Sequence, residues 1–182
     1  MQTFPSLSTI RFSHAPAFKG ILEGRGIPVG VDMISTAFSG SKIALFNNTK
    51  ILIYRRDNKP NIPFSGLWDL PGGGREGEET PEECVCREVL EEFGISIPAH
   101  QIGWSKSYGG STPDSLPQFF FAGQLTDDDV RAIHFGDEGE SWTLMDVAAY
   151  LQLFDAIKQL QYRVCEYLIE TSDDSLRAGA RQ

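Results

Sequence analysis

The sequence lacks the features that would suit a nucleic-acid polymer or a membrane as its partner. Its 16 lysines and arginines are outnumbered by 25 aspartates and glutamates, giving a formal net charge of −9. Contact with a phosphate backbone requires clustered basic side chains, so this charge argues against binding a DNA or RNA polymer. No apolar run approaches about 18 residues and no signal-peptide core is visible, so we also expect no membrane partner.

Cysteine is scarce as well, and internal repeats are absent. The three cysteines are an odd number, and Cys84 and Cys86 both fall on a predicted helix, which favours reduced thiols in the cytoplasm over a disulfide framework. The 182 residues suffice for one domain with terminal extensions. We expect an N-terminal extension over residues 1–32, a folded domain over residues 33–170 and a flexible polar tail over residues 171–182.

The stretch Gly73–Ile95 carries the strongest helix signals in the chain. Thr80 is a natural N-cap, Pro81 suits the first helical position, and Glu83 completes a Thr-x-x-Glu capping box. Gly94 fits the left-handed residue that ends a helix. An apolar stripe at helical spacing predicts one buried face, formed by Val85, Val89 and Phe93.

Beside that stripe the helix presents an acidic edge. Glu88, Glu91 and Glu92 are spaced i, i+3 and i+4, which places their side chains on one face of a helix. Like charges at this spacing cost about 0.2–0.5 kcal/mol per pair, and no lysine is interleaved to relieve them. We therefore expect a cation at this edge, with Mg²⁺ the first choice and Mn²⁺ the second, because both prefer oxygen ligands.

The same stretch resembles the Nudix box of the MutT-like Nudix hydrolases, without a departure. The match comprises Gly73, five residues, Glu79, seven residues, Arg87-Glu88-Val89, one residue, Glu91-Glu92, one residue and Gly94-Ile95. The resemblance implies an α/β (α+β) fold, a Nudix-type α/β/α sandwich with a mixed central β-sheet. It also implies a divalent-metal-dependent hydrolase in which water attacks a phosphorus of a nucleoside diphosphate linked to another moiety.

The resemblance further implies a set of metal ligands. In the family, the carbonyl just before the first glycine of the box binds metal, and here that residue is Gly72. Glu88, Glu91 and Glu92 would supply carboxylates. Family members commonly add one more from a loop ahead of a tryptophan-containing strand. Glu138 is the first candidate for it and Glu140 the second, with a solvated acidic loop as the alternative.

The catalytic roles implied by the family are assigned in the same way. Glu88 is the first candidate for the general base, with Glu138 or Glu140 as the alternative. Arg87 and Glu79 would form an ion pair that orients the carboxylates and braces the loop.

Five residues outside the box are candidates for binding the substrate. Arg55 and Arg56 end a predicted strand and must point to opposite faces, so one of them is free to reach a phosphate. Phe64 and Trp68 have the rings to stack on a nucleobase, with packing at a sheet edge as the alternative. Tyr108 precedes a loop that is expected to border the substrate.

The remaining segments are predicted from their composition and periodicity. The strands are Ser8–Phe12, Met33–Ser39, Lys42–Phe46, Lys50–Arg56, Gln101–Tyr108 and Gln118–Leu125, with an Asn47-Asn48 turn joining the third and fourth. A helix begins at Thr126, and another covers Met145–Glu170 with a break near Leu151–Asp155. The apolar stripe of the last helix fits core packing or a homodimer contact.

The substrate is not named by the sequence. Tyr108 and Pro113 lie near, but out of register with, the positions that mark the dinucleoside polyphosphate and ADP-ribose enzymes of the family. We expect a small nucleoside diphosphate derivative as the partner. The alternative from another class is a non-catalytic Nudix-fold module that senses a nucleotide, and a decapping-type RNA enzyme is disfavoured by the acidic charge.

Overall fold

A computed structural model describes residues 37–110, 112 and 114–179, with side chains as far as residue 172. Several expectations therefore lie outside the described residues. These are the N-terminal extension, the strand Ser8–Phe12, most of the strand Met33–Ser39, and Pro113. Among the described residues, no helix combines the length and the apolar character needed to cross a bilayer.

The described residues form seven strands and four α-helices. The strands are β1 (Gly40–Asn47), β2 (Lys50–Arg55), β3 (Trp68–Asp69), β4 (Gly72–Gly74), β5 (Ile102–Tyr108), β6 (Gln118–Gln124) and β7 (Ser141–Asp146). The helices are α1 (Pro81–Phe93), α2 (Asp127–Arg131), α3 (Val147–Tyr150) and α4 (Lys158–Gly179), and a 3-10 helix covers Ala99–Gln101.

All seven strands belong to one mixed sheet. Its main order is β3-β2-β1-β6-β5, while β4 pairs with β1 and β7 pairs with β2. The β1–β6 pair is parallel, and the other pairs are antiparallel. The predicted α/β/α class with a mixed central sheet is confirmed.

Alternating side chains on the strands build a core on each face of the sheet. On one face, Ile43, Leu45 and Leu52 pack against the predicted apolar stripe of α1. On the other face, Ala44, Phe46 and Ile53 pack against α3 and α4, which contribute Val147, Tyr150, Leu160 and Val164. The α1 face is the one that carries the acidic edge.

The local signals placed α1 correctly. The Thr80 hydroxyl accepts a hydrogen bond from the Glu83 amide at 3.2 Å, and the Glu83 carboxylate accepts one from the Thr80 amide at 2.8 Å. Gly94 ends the helix in the left-handed conformation, with φ of 66°. The capping box at Thr126 likewise begins α2.

The last predicted helix was wrong at its start. Met145 and Asp146 belong to β7, where they pair with Ile51 and Lys50 of β2. Sheet pairing with a distant strand outweighs local helix preference at these two positions. The described backbone of α4 extends through Gly179, past the position where the tail was expected to begin. The predicted homodimer stays a prediction.

Candidate active site

The glycines of β4 bring the backbone unusually close to α1 and β1. A Cβ placed on Gly72, where φ is 121°, would lie 2.2 Å from the Ser41 carbonyl oxygen. A Cβ placed on Gly73 would lie 2.4 Å from the carboxylate carbon of Glu88. Only residues without side chains allow this approach. Because of these glycines, the loop that is expected to bind metal packs directly against the Glu88 side chain.

Glu92 points inward rather than towards solvent. It is buried, and its Oε2 accepts a hydrogen bond from the Gly72 amide at 3.0 Å. Burial raises the pKa of Glu92 to about 7, although the Lys42 charge and the Gly72 amide act in the opposite direction. Glu92 thus ties the end of α1 to the residue whose carbonyl is a predicted metal ligand.

Arg87 hydrogen-bonds the other three glutamates of the Nudix box, Glu79, Glu88 and Glu91. It makes a bidentate ion pair with Glu79, with Nε–Oε2 at 3.0 Å and Nη2–Oε1 at 2.9 Å. Its Nη1 donates to Glu88 Oε1 at 3.0 Å and to Glu91 Oε2 at 2.9 Å, and its Nη2 donates to the Gly74 carbonyl at 2.9 Å. The expected Arg87–Glu79 ion pair is present, and it braces the glycine loop as well as the helix.

The hydrogen bonds of Arg87 and Glu92 determine which carboxylates of the acidic edge are free to bind a metal ion. Among the residues that the structure describes, no group of three or more acidic, histidine or cysteine side chains is arranged to hold one metal ion. Arg87 keeps Glu88 and Glu91 on its own side, while Glu92 is turned towards Gly72. An ion at this edge must therefore compete with Arg87 for two of the three carboxylates.

The chemistry of these residues nevertheless fits a hard divalent ion. The donors that the box brings together are carboxylate and carbonyl oxygens, which Mg²⁺ and Mn²⁺ prefer. Burial raises the pKa of Glu88 as well as that of Glu92, so both carboxylates gain from a nearby positive charge. Cys84 is buried and its Sγ lies 3.5 Å from the Gly74 carbonyl, which agrees with the packing role expected for a thiol.

A second charged group adjoins Glu92 and was missed by the sequence analysis. Asp69 Oδ2 accepts from Arg56 Nη1 at 2.8 Å, from Lys42 Nζ at 3.0 Å and from the Tyr54 hydroxyl at 3.4 Å. Burial raises the pKa of Tyr54, and the charges of Asp69 and Glu92 raise it further. Lys42 and Asp69 are 27 residues apart, and only the sheet brings them together, so no local pattern in the sequence announced them.

The two neighbouring arginines go to opposite sides, as predicted. Arg56 joins Asp69 on the α1 side, whereas Arg55 Nη1 lies 3.3 Å from Asp155 and its guanidinium lies 5.7 Å from the centre of the Trp68 ring. Trp68 itself packs against the core on the α4 side. Of the two candidates, Arg56 is therefore the one that joins the charged group next to Glu92.

The other candidates lie elsewhere. Glu140 pairs with Arg55 at 3.8 Å, and exposed Glu138 lies within electrostatic range of Lys59. Phe64 is exposed in the loop before β3, with a positive φ of 58°. Tyr108 donates to Glu166 on the α4 side of the sheet. The structure thus brings Glu79, Arg87, Glu88 and Glu91 together, with Gly72 and Glu92 adjacent. Arg55, Trp68 and Tyr108 lie on the α4 side of the sheet.

A family model for the NUDIX domain matches residues 40–166, which is more than half of the chain. This chain belongs to the Nudix family. The RNA pyrophosphohydrolase of Gluconacetobacter diazotrophicus is 35% identical over 144 residues, which cover 65% of this chain and 83% of that protein. The prediction of a Nudix pyrophosphohydrolase is confirmed.

Solved structures support the same fold. A MutT protein of Methanosarcina mazei is 20% identical with a TM-score of 0.59, covering 76% of this chain and 98% of that one. The bifunctional NMN adenylyltransferase/ADP ribose pyrophosphatase of Francisella tularensis, complexed with AMP and a Mn ion, is 22% identical with a TM-score of 0.53. It covers 74% of this chain, which in turn spans 41% of that protein. Nudix hydrolases generally depend on a divalent metal.

Proposed function

We propose that this Nudix enzyme hydrolyses the pyrophosphate linkage of a small nucleoside diphosphate derivative with Mg²⁺ or Mn²⁺, using the acidic edge of α1. The observation that carries the proposal is the folded position of the complete box. Its helix lies against a side-chain-free loop, with the Glu88 carboxylate on Gly73 and Glu92 bonded to Gly72. Glu88, Glu91, Glu92 and the Gly72 carbonyl would hold the metal, and Glu138 stays a candidate further ligand.

The reaction forms one bond and breaks another. The oxygen of water bonds to one phosphorus, and the bond between that phosphorus and the bridging oxygen breaks. The other phosphate leaves with the bridging oxygen and the electron pair. When bound, the metal neutralises phosphoryl charge and activates the attacking water. Glu88 takes the proton of the water as the general base.

Arg87 and Glu79 act by positioning. Their bidentate pair fixes the guanidinium between α1 and the Gly74 carbonyl, from which it reaches both Glu88 and Glu91. A planar guanidinium with several donors suits this task better than a lysine ammonium. Arg87 thereby holds the catalytic carboxylates at the loop.

The experiment is a substrate panel with Mg²⁺ and then Mn²⁺. It contains dNTPs, oxidised dNTPs, ADP-ribose, NADH, nucleotide sugars and dinucleoside polyphosphates. We expect turnover of at least one substrate and a loss of about 10²–10⁴-fold in kcat for Glu88→Gln. Exposed Glu82 on the same helix provides the matched control, and Glu82→Gln should turn over like the wild type. Wild-type turnover in Glu88→Gln would show that Glu88 is not the general base.

A second candidate substrate is the 5′ end of an RNA. The observation favouring it is the coverage of the Gluconacetobacter relative, which is named an RNA pyrophosphohydrolase and is matched over 83% of its length. The net charge of −9 opposes contact with a long phosphate backbone. A triphosphorylated oligonucleotide added to the panel separates the two candidates. Tight nucleotide binding without any turnover would instead support the nucleotide-sensing alternative.

A further inference from the structure

Four residues outside the Nudix box form a compact charged group, which we call the Asp69 cluster: Lys42, Tyr54, Arg56 and Asp69. Asp69 is only 1% exposed, and its Oδ2 accepts from the other three members. Its Oδ1 accepts from the Leu70 amide at 2.7 Å. Every hydrogen bond made by the Asp69 carboxylate therefore fixes a neighbour in place.

The cluster directly adjoins the proposed catalytic residues. Lys42 Nζ donates to the Leu70 carbonyl at 2.9 Å, two residues before Gly72. Lys42 also lines a cavity of about 200 Å³ together with Gly73 and Gly74. The charge of Lys42 acts on both Glu88 and Glu92. Lys42 is therefore close enough to contact a ligand that is bound at the acidic edge.

The cluster itself holds two cations and one carboxylate. Lys42 and Arg56 both pair with buried Asp69, and Lys42 also acts on the neighbouring Glu92 carboxylate. The side chains of Lys42 and Arg56 are 20% and 24% exposed, against 2% for Asp69, so the cations have open sides while the anion has none. Two cations on a single oxygen repel each other, and the Asp69 charge keeps them together. The exposed sides of these two cations suit an anionic ligand.

We propose that Asp69 is a positioning residue that holds Lys42 and Arg56 as a pair of cations for the non-bridging oxygens of the substrate pyrophosphate. This inference rests on the proposed function, since it takes the pyrophosphate to lie at the acidic edge of α1. Lys42 and Arg56 contact the substrate, and Asp69 acts through them. The cavity beside Lys42 is smaller than the roughly 300–1,000 Å³ of a typical ligand pocket, so it takes only part of the substrate.

Arg56 also connects the pair to the loop before β3. Its Nε donates to the Pro63 carbonyl at 3.0 Å, next to exposed Phe64. One guanidinium therefore links this loop to the buried Asp69. Through Arg56, the cluster positions the loop at the same time as the phosphate-binding cation.

The test measures binding of imidodiphosphate, a pyrophosphate analogue with a nitrogen bridge, in the presence of Mg²⁺. Lys42→Met, Arg56→Met and Asp69→Asn should each raise its Kd about 10-fold or more, because each removes or releases a charge-assisted hydrogen bond. Lys42→Arg keeps the cation and should stay within about threefold of the wild type. Lys106 pairs with Glu166 and Glu170 on the other side of the sheet, so Lys106→Met is the matched control without effect.

A double-mutant cycle separates positioning from a structural role. If Asp69 acts through the two cations, Asp69→Asn adds no further loss in the Lys42→Met/Arg56→Met background. Independent, additive losses would overturn the inference, as would wild-type affinity in Lys42→Met. Should Asp69→Asn fail to fold, the contrast between Lys42→Met and Lys42→Arg still decides the role of the cation: equal affinities would overturn it.

Failure of the proposed function has a different signature. Mn²⁺ binding in the absence of imidodiphosphate should be lost in Glu88→Gln/Glu92→Gln. It should not be weakened in Lys42→Met, which removes a cation that acts on both carboxylates. A wild-type protein that neither binds Mn²⁺ nor hydrolyses any substrate overturns the proposed function. A wild-type protein that does both, with variants of the cluster that bind imidodiphosphate normally, overturns this inference alone.

Discussion

Arg87 holds Glu79 by two parallel hydrogen bonds, with Nε–Oε2 at 3.0 Å and Nη2–Oε1 at 2.9 Å. These bonds lower the pKa of Glu79 to about 2, well below its ordinary value of 4.5. Because the folded-state pKa is the lower one, the ionised carboxylate stabilises the fold above about pH 4.5, and this stabilisation is lost as the pH falls towards 2.

The first prediction concerns the pH dependence of stability. At pH 7 we expect Glu79→Gln to lower the free energy of unfolding by about 1 kcal/mol, as for a partly solvated ion pair. The difference from the wild type should shrink as the pH falls from about 4.5 to 2. Urea unfolding across this pH range checks the result, with Glu78→Gln at a neighbouring exposed position as the control. A difference that stays constant with pH would contradict the prediction.

The second prediction concerns the glycine loop. Gly73→Ala places a Cβ 2.4 Å from the Glu88 carboxylate carbon, so either the side chain or the loop must move. We expect a loss of about 10²-fold in kcat, since small misplacements of catalytic groups are costly. Gly103→Ala meets nothing within 4 Å and serves as the control in the same activity assay. Wild-type activity in Gly73→Ala would show that the contact does not matter for the chemistry.

The third prediction concerns a buried hydroxyl. Among the described residues, the Tyr150 hydroxyl has no hydrogen-bond partner, and burial raises the pKa of Tyr150. Removing an unsatisfied polar group relieves a desolvation cost, so Tyr150→Phe should raise the free energy of unfolding by about 1 kcal/mol. The contrast is Tyr54→Phe, which loses a hydroxyl bonded to Asp69 and should be destabilised. Thermal unfolding of both variants gives the answer, and destabilisation of Tyr150→Phe would refute it.

The fourth prediction concerns the start of α1. Thr80→Ala removes the side chain that accepts from the Glu83 amide, and we expect a cost of about 1 kcal/mol in the free energy of unfolding. Thr80→Ser keeps a hydroxyl at the same place and should lose only a small part of this stability. Urea unfolding of the pair isolates the cap. Equal stability of Thr80→Ala and the wild type would mean that water replaces the cap without cost.

Local chemistry decided which parts of the fold were predictable. Thr80, Glu83 and Gly94 act on their own helix within a few residues, so the bounds of α1 followed from the sequence. Met145 was assigned to a helix because its strand partner, Ile51, lies far away in the chain. Local patterns carry no signal for such pairing.

The same distinction explains the site. The spacing of Glu88, Glu91 and Glu92 within one helix announced the acidic edge. Lys42 and Asp69 meet because β1 and β3 both flank β2 and because β4, which follows β3, pairs with β1. Local sequence patterns therefore could not predict their cluster. The sequence also left Arg55 and Arg56 as equal candidates, and the partners of their side chains distinguish them. The role of Glu138 stays a prediction.

The ion pairs of Arg87 with three glutamates also matter for the protein before any metal is bound. The chain carries its own counter-ion, so self-repulsion along α1 is relieved while the polypeptide folds. Folding then needs no metal, and we expect removal of the metal by a chelator to abolish the activity without unfolding the protein.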